Sequence, residues 1–393
     1  MSEAVIAAAC RTAIGTSFKG SLTETPAADL ATAVVTEALG RSGLDPARID
    51  DVVLGEVLQG GGDLARYTAL AAGLTGVPGL AQQRQCASGL SAIQTAAAGI
   101  RAGMDQAVIA GGAESPSTAP QLRRRTPGTQ DWQDRWMPPS HPATADAPAD
   151  DMSITVGWNT ARLAGISRED MDAWALRSHQ LAIAAIDDGR FAREIVPLKV
   201  RTGAGEEIVF DTDEHPRRGT SLEKLASLKP LHPEIPGFGI TAGNSSGIND
   251  AAAALVLTSD RLAEQEGLRP LGVVRSWASV GVEPVRTGLA PVDAIGKALA
   301  RAGVRLQDVK LLEINEAFAS VPIACCRALD IDPEIVNISG SGCSLGHPIA
   351  ATGARMVTTL LNDLHRLGGG IGVAALCAGG GMGSAVVVEA VRS

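Results

Sequence analysis

Aromatic side chains are nearly missing from this chain of 393 residues: one tyrosine, five tryptophans and five phenylalanines make up 3% of it. Such a sequence cannot build its core around large rings. It also lacks a run of about 18 apolar residues, the length that would span a bilayer. The N-terminus MSEAVIAAACRTAIG has no basic start of a secretory signal, and the C-terminal AVRS is not a peroxisomal tripeptide. Six cysteines occur with no CxxC pair, which argues against a disulfide scaffold and for a reduced, intracellular setting. Six histidines are present, but no HExxH and no zinc-like spacing. Positive charge is in short supply: 34 Lys and Arg against 43 Asp and Glu give a net charge of −9, which disfavours tracking along a phosphate backbone. What is left is a cytoplasmic enzyme with no membrane segment and no nucleic-acid partner.

Small and aliphatic residues are plentiful. Glycine occurs 45 times, about 11% against a typical ~7%, so helices and strands can pack closely. The length suits two or three domains. Apolar runs alternate with helical periodicity, the pattern of an α/β fold. Strands are predicted at Val5–Ala8, Asp51–Leu54, Ala107–Ala110, Ala251–Leu257, Leu311–Ile314, Ile371–Leu376 and Ala385–Glu389, and helices over 27–43, 88–102, 168–189, 292–303 and 349–367. Several strands are apolar on both faces, which predicts sheets covered on both sides. The chain also repeats itself: Ala38, Leu39, Arg41 and Gly43 recur as Ala298, Leu299, Arg301 and Gly303, and Glu56 recurs as Glu316. This order predicts two duplicated halves whose equivalent loops meet at a shared cleft. An insertion interrupts the first half. It opens with the proline-rich stretch 115–150, which carries Arg123, Arg124 and Arg125. That stretch reads either as a surface loop or as a lid or subunit contact.

Four stretches could carry chemistry. Cys86, in QCASGL, directly precedes a helix of small residues, and a helix N-terminus favours thiolate; a buried inert cysteine is the other reading. His347, in GSGCSLGHP, leaves a glycine-rich turn just before a proline, as either a general base or a helix cap. Cys377, in CAGGGMG, ends a strand and runs into glycines whose bare N–H groups can face an oxyanion. Asn315, in EINEAFA, ends another strand, where it would satisfy backbone or orient a water. A Cys–His pair suits acyl transfer through a thioester. GxGxxxG is a poor match to the dinucleotide fingerprint.

The ordered motifs CASGL, GNSSGIND (243–250), NEAFA, SLGHPIAATGAR and CAGGGMG resemble the thiolase family over essentially the full length. The resemblance implies a duplicated αβαβα five-layer α/β fold with an inserted loop domain at about 118–240, and a division into 1–266 and 267–393. It implies that Cys86 is the nucleophile, His347 its base and Cys377 the second acid/base. Asn315 would hold a water at the enolate oxygen, and the N–H groups of Cys86 and Gly379 would form an oxyanion hole. Ser246, Arg218, Met152 and Phe318 match positions that contact coenzyme A or the acyl group. No metal or redox cofactor is implied: coenzyme A is substrate and product, acyl-CoAs are the partners, and the assembly is a homodimer or homotetramer. The implied activity is reversible Claisen condensation and thiolytic cleavage. Departures from the family pattern are Gln83, Asp151, Thr287, Ser341 and Cys343. A decarboxylative condensing enzyme of the same superfamily, or a silent binder of CoA lipids, is the alternative. The presence of Cys86, His347 and Cys377 together argues against both.

Overall fold

The computed structural model describes residues 2–390. Nine strands form one continuous path: β1 (Ala4–Thr12), β2 (Asp51–Gly55), β3 (Gly79–Gln82), β4 (Ala107–Glu114), β5 (Asn249–Ser259), β6 (Gly272–Gly281), β7 (Val309–Ile314), β8 (Gly370–Ala378) and β9 (Met382–Ala390). Their order across the sheet is β7-β8-β9-β6-β1-β5-β4-β2-β3. Each half repeats the same pairing sense. In the first, β1–β5 and β5–β4 are antiparallel and β4–β2 is parallel. In the second, β6–β9 and β9–β8 are antiparallel and β8–β7 is parallel. The counterpart of β3 is reduced to an isolated parallel bridge from Leu312 to Val336. The halves join where Val5 and Ile6 of β1 pair with Val273 and Gly272 of β6.

The principal helices are α1 (Ala27–Ser42), α2 (Leu64–Ala71), α3 (Ser88–Ala102), α4 (Arg168–Asp187), α5 (Ala290–Ala302), α6 (Ser320–Leu329) and α7 (Thr352–Arg366). Strand periodicity sorts them into layers, because successive side chains point to opposite faces. Val108 and Ala110 face a central core with Leu90, Ile93, Met356 and Leu360, while Ile109 between them faces Leu30 and Val34 of α1. In the second half Ala374 and Leu376 face the same central core, while Val373 and Ala375 face Ile295 and Leu299 of α5. Helices α3 and α7 therefore fill the middle of five layers, α-β-α-β-α, and each sheet is apolar on both faces as predicted. The repeat is visible locally too. Gly43 and Gly303 end α1 and α5 with φ of 69° and 65°, the left-handed stop that glycine adopts without strain.

Four of these labelled elements lie outside the predicted set. Strand β3 is a half-exposed edge, and β6 carries Arg275, Ser276 and Ser279 among its apolar residues, so neither reads as an apolar run. Helix α2 is short, and Pro322 interrupts the pattern of α6 although it sits in the first turn, where proline is tolerated. The proline-rich stretch holds a small hairpin, Arg124–Arg125 paired with Trp132–Gln133. The insertion is fastened to β1 by the buried Arg11. Its guanidinium bonds Asp213 through two nitrogens, at 2.7 and 2.8 Å, and Glu194 at 2.6 Å.

The middle layer is close-packed because α3 and α7 meet through glycine. A Cβ on Gly353 would collide with the backbone of Leu90, and one on Gly89 would lie 2.5 Å from the Ala350 carbonyl. Overpacking of this kind typically costs about 1–3 kcal/mol. Gly353→Ala is therefore expected to lower the thermal midpoint of unfolding by several degrees. Scanning calorimetry beside wild type checks this, and an unchanged midpoint would refute the close approach.

Candidate active site

The four predicted chemical residues all sit where strands or turns end against the middle layer. Cys86 lies in a tight turn before α3. Gln85 holds φ of 48°, unusual for a residue with a side chain. The turn is held by Ala87 N–H to the Arg84 carbonyl (3.0 Å) and by the Ser88 hydroxyl, which donates to the Gln85 carbonyl at 2.6 Å and accepts from Arg84 N–H at 2.8 Å. Cys86 is half-buried. The helix start was expected to favour thiolate, yet burial prevails and pushes this thiol up to about 11. The backbone N–H groups of Gly379 and of Cys86 itself oppose that shift, and the charge of Glu114 adds to it. These are the same two N–H groups expected from the sequence to form an oxyanion hole.

Cys377, near the end of β8, is buried. Burial raises its thiol above the ordinary range, and the neighbouring Cys86 raises it further. The glycine turn beyond Cys377 is pinned from outside. Thr287 Oγ1 accepts from Gly381 N–H at 3.1 Å, and Gly380, at φ of 88°, leaves no room for a Cβ beside the Ser140 carbonyl.

His347 is buried at the end of its glycine-rich loop, with its backbone N–H donating to Asn249 Oδ1 at 3.0 Å. Its Nδ1 lies 2.7 Å from Thr352 Oγ1, and that hydroxyl donates to the Pro348 carbonyl at 2.9 Å. With the Thr352 proton on the Pro348 carbonyl, the hydroxyl accepts from Nδ1–H, the tautomer assignment that leaves Nε2 bare. Nε2 is buried without a partner. Burial, and then the charge of Arg355, pull the imidazole down to about 3, so it rests neutral. Asn315 follows β7, with its Nδ2 3.4 Å from His347 Nδ1 and its Oδ1 also buried and unpartnered. Buried polar atoms rarely lack partners, and two orphans side by side mark a place where something else binds.

The loop after His347 reaches the Cys86 turn through Ala350. A Cβ on Gly55, Gly89 or Gly112 would crowd the Ala350 carbonyl. Glu316 carries the other side of the framework. It accepts from Trp174 Nε1 (2.9 Å), Ser178 (2.6 Å), Asn337 (2.9 Å) and Cys343 N–H (3.0 Å), tying α4 and the histidine loop to Asn315. Ser341 and Cys343 face this framework: Ser341 contacts Arg355 and Cys343 Sγ the Glu316 carbonyl.

The remaining predicted residues divide. Ser246 donates its N–H to the Ala317 carbonyl, and Ser245 bridges to Phe318, so both loops meet. Phe318 packs on Gly157 of a π-helical turn, Ser153–Trp158, which directly follows Met152. Such turns recur at functional sites. Arg218 is instead an exposed partner of Asp187, bonded at 2.5 and 2.9 Å, with its charge already matched. Glu114, Asn249, Glu316 and Thr352 were missed. Their sequence signals were an acidic residue closing an apolar strand, the polar ends of two motifs, and a hydroxyl in the first turn after His347.

Two family descriptions match, Thiolase, N-terminal domain over residues 4–261 and Thiolase, C-terminal domain over residues 268–390. The chain belongs to the thiolase family. It is 42% identical to the acetyl-CoA acetyltransferase of Pseudomonas aeruginosa, with 99% of each chain covered. The cytosolic acetyl-CoA acetyltransferase of Mus musculus is 41% identical, with 98% of each covered. The crystal structure of the Bacillus anthracis acetyl-CoA acetyltransferase superposes with a TM-score of 0.91 at 41% identity, covering 100% of this chain and 99% of that one. This thiolase is accordingly an acyltransferase-class enzyme. Among its described residues no helix is long and apolar enough to cross a membrane.

One departure from the family pattern builds a local charge relay. Asp151 Oδ1 accepts from Ser153 and Ile154 at the start of the π-turn, and its Oδ2 lies 2.8 Å from His232 Nε2. His232 Nδ1 lies 2.8 Å from Glu234. With a carboxylate on each nitrogen, first Glu234 and then Asp151, the imidazolium is favoured and His232 titrates above its ordinary value. Stabilisation from a raised histidine is present below the unfolded value near 6.5 and is lost as pH rises through the folded one. His232→Gln should therefore melt below wild type at pH 6, with the gap closing by pH 9. A gap independent of pH would refute the charged pairing.

Proposed function

We propose that this thiolase transfers acyl groups through a Cys86 thioester, condensing two acyl-CoAs or cleaving a 3-ketoacyl-CoA with coenzyme A. The observation that carries this reading is the bare, buried Nε2 of His347, kept unprotonated by the Thr352 relay. Cys86 is a thiol and not a thiolate at neutral pH, so it needs a base at the moment of attack. Nε2 accepts and keeps that proton while Cys86 Sγ attacks the thioester carbonyl. The carbon–sulfur bond breaks to release coenzyme A as a thiolate, which takes the Cys377 proton and leaves Cys377 as the charged sulfur. The Cys86 and Gly379 N–H groups face the oxygen on which charge develops, and a donor of this kind is typically worth about 10²–10³ in rate.

Condensation then needs removal of an α-proton from the second acyl-CoA. A buried thiol raised by its neighbour gives a strongly basic thiolate, and Cys377 has that character. In cleavage it returns the proton to carbon. The protonated Nε2 is now a donor, and with a water on Asn315 it stabilises the enolate oxygen. Ser246, Met152 and Phe318 line the route of the pantetheine and acyl groups. Arg218 would have to leave Asp187 to reach a nucleotide. The acetyl-CoA acetyltransferase relatives support acetyl-CoA as one substrate. A boundary near residue 266, an insertion over 118–240, a cytoplasmic location, a homodimer or homotetramer, and no cofactor beyond coenzyme A complete the reading.

Incubation with acetyl-CoA is expected to add an acetyl mass on the peptide holding Cys86; an adduct elsewhere, or none, refutes the mechanism. Cys377→Ser should keep that acylation while losing carbon–carbon bond formation. Equal loss of both steps would contradict the division of labour between the two thiols.

A further inference from the structure

Glu114 closes β4, is fully buried, and has no cationic partner among the described residues. A buried carboxylate without a cation is costly, so its retention calls for a purpose other than stability. Its oxygens accept only neutral donors. Oε2 takes the Ala350 N–H at 3.2 Å, and Oε1 takes Leu58 N–H at 3.1 Å and Gln59 Nε2 at 2.9 Å. One carboxylate thereby links the end of β4, the glycine loop after β2 and the loop that follows His347. The Ala350 peptide is held on both sides, its carbonyl by the glycines of β2, α3 and β4 and its N–H by Glu114.

We propose that Glu114 is a positioning residue of the reaction: its carboxylate fixes the Ala350 peptide of the loop carrying His347 where that peptide packs on Gly89, just after the turn carrying Cys86, and its charge acts on the Cys86 sulfur. This deepens the thioester reading and rests on it for the identity of the nucleophile. Besides these donors, burial and the charge of Glu56 at the end of β2 act on Glu114, and Glu114 in turn acts on Cys86 in the turn before α3. Burial raises the carboxyl to about 7, the three N–H donors oppose the rise, and Glu56 adds to it. Glu114 therefore changes charge around neutral pH. When ionised it disfavours the Cys86 thiolate. When protonated, one of its oxygens becomes a donor facing an N–H, so one link of the joint is lost.

The test is the pH dependence of iodoacetamide alkylation at Cys86, read by mass spectrometry on the peptide Gln85–Arg101 of the full-length enzyme. In wild type, ionisation of Glu114 makes the thiol progressively less acidic, so the logarithm of the rate should rise with a slope below one around pH 7. Glu114→Gln is neutral at every pH. It should restore a slope of one and raise the rate at pH 8 by about twofold or more, the size expected of a nearby charge in a partly screened site. Because its amide nitrogen confronts a donor, its kcat should fall with little change in KM. Glu114→Asp keeps the charge but not the reach, so it should retain the shallow slope while losing kcat. Coincident profiles for wild type and Glu114→Gln overturn the proposal. Should that variant fail to fold, a wild-type slope of one overturns it alone. An acyl adduct at Cys86 with coincident profiles refutes the role of Glu114 and leaves the thioester mechanism standing. A shifted profile with no adduct does the reverse.

Discussion

The whole site hangs on the peptide of Ala350. Two halves that repeat one another can present equivalent loops at a common cleft, but reacting atoms must be brought within hydrogen-bond reach, and no sheet does that by itself. Here the contact is made by backbone against backbone. The Ala350 carbonyl is wedged where Gly55, Gly89 and Gly112 lack side chains, and its N–H is taken by Glu114. The three glycines belong to β2, α3 and β4 of the first half, while Ala350 belongs to the second. A methyl group at any of them would push the histidine loop away from the cysteine turn. Because interiors are packed like crystals, such a displacement would not be absorbed nearby.

That constraint also explains the composition. Large rings would hold α3 and α7 too far apart for a glycine-to-backbone crossing, so the middle layer is built from Ala, Leu, Ile and Met. The buried aromatics lie outside that layer, Phe191 and Phe210 in one flanking core and Trp174 and Phe238 in the other. Low aromatic content and high glycine content are thus two sides of one requirement. The middle layer must be thin enough for loops of the two halves to meet at the Ala350 peptide.

Much of this was readable in the sequence because it lies in short-range pattern. The strands of both halves are apolar on both faces, their stops carry glycine at matching offsets, and Cys86, His347, Cys377 and Asn315 each stand at the end of a recognisable element. What was not readable depends on pairing across the fold. Strand β6 is defined by its neighbours β1 and β9 and not by its own alternation. Glu114 looks like the polar end of a strand until the Ala350 N–H is found against it. Thr352 looks like any helical threonine until its proton is followed to Pro348 and its lone pair to His347.

The direction in which the thiols are shifted is the sharpest example. From sequence, a cysteine at a helix start reads either as a favoured thiolate or as a buried thiol. The dipole of a helix is worth typically 0.3–1 kcal/mol at the surface, whereas removing a thiolate from water costs several pKa units. In this site burial wins, and Cys86 and Cys377 are both held as neutral thiols. Two adjacent thiolates would repel one another and would leave His347 with nothing to do. In the proposed reaction each sulfur becomes charged only when its proton has somewhere to go: from Cys86 to the bare Nε2 of His347, and from Cys377 to the departing coenzyme A sulfur. The order of proton movements follows from which acceptor is empty at each moment, and the tautomer fixed by Thr352 makes Nε2 the first.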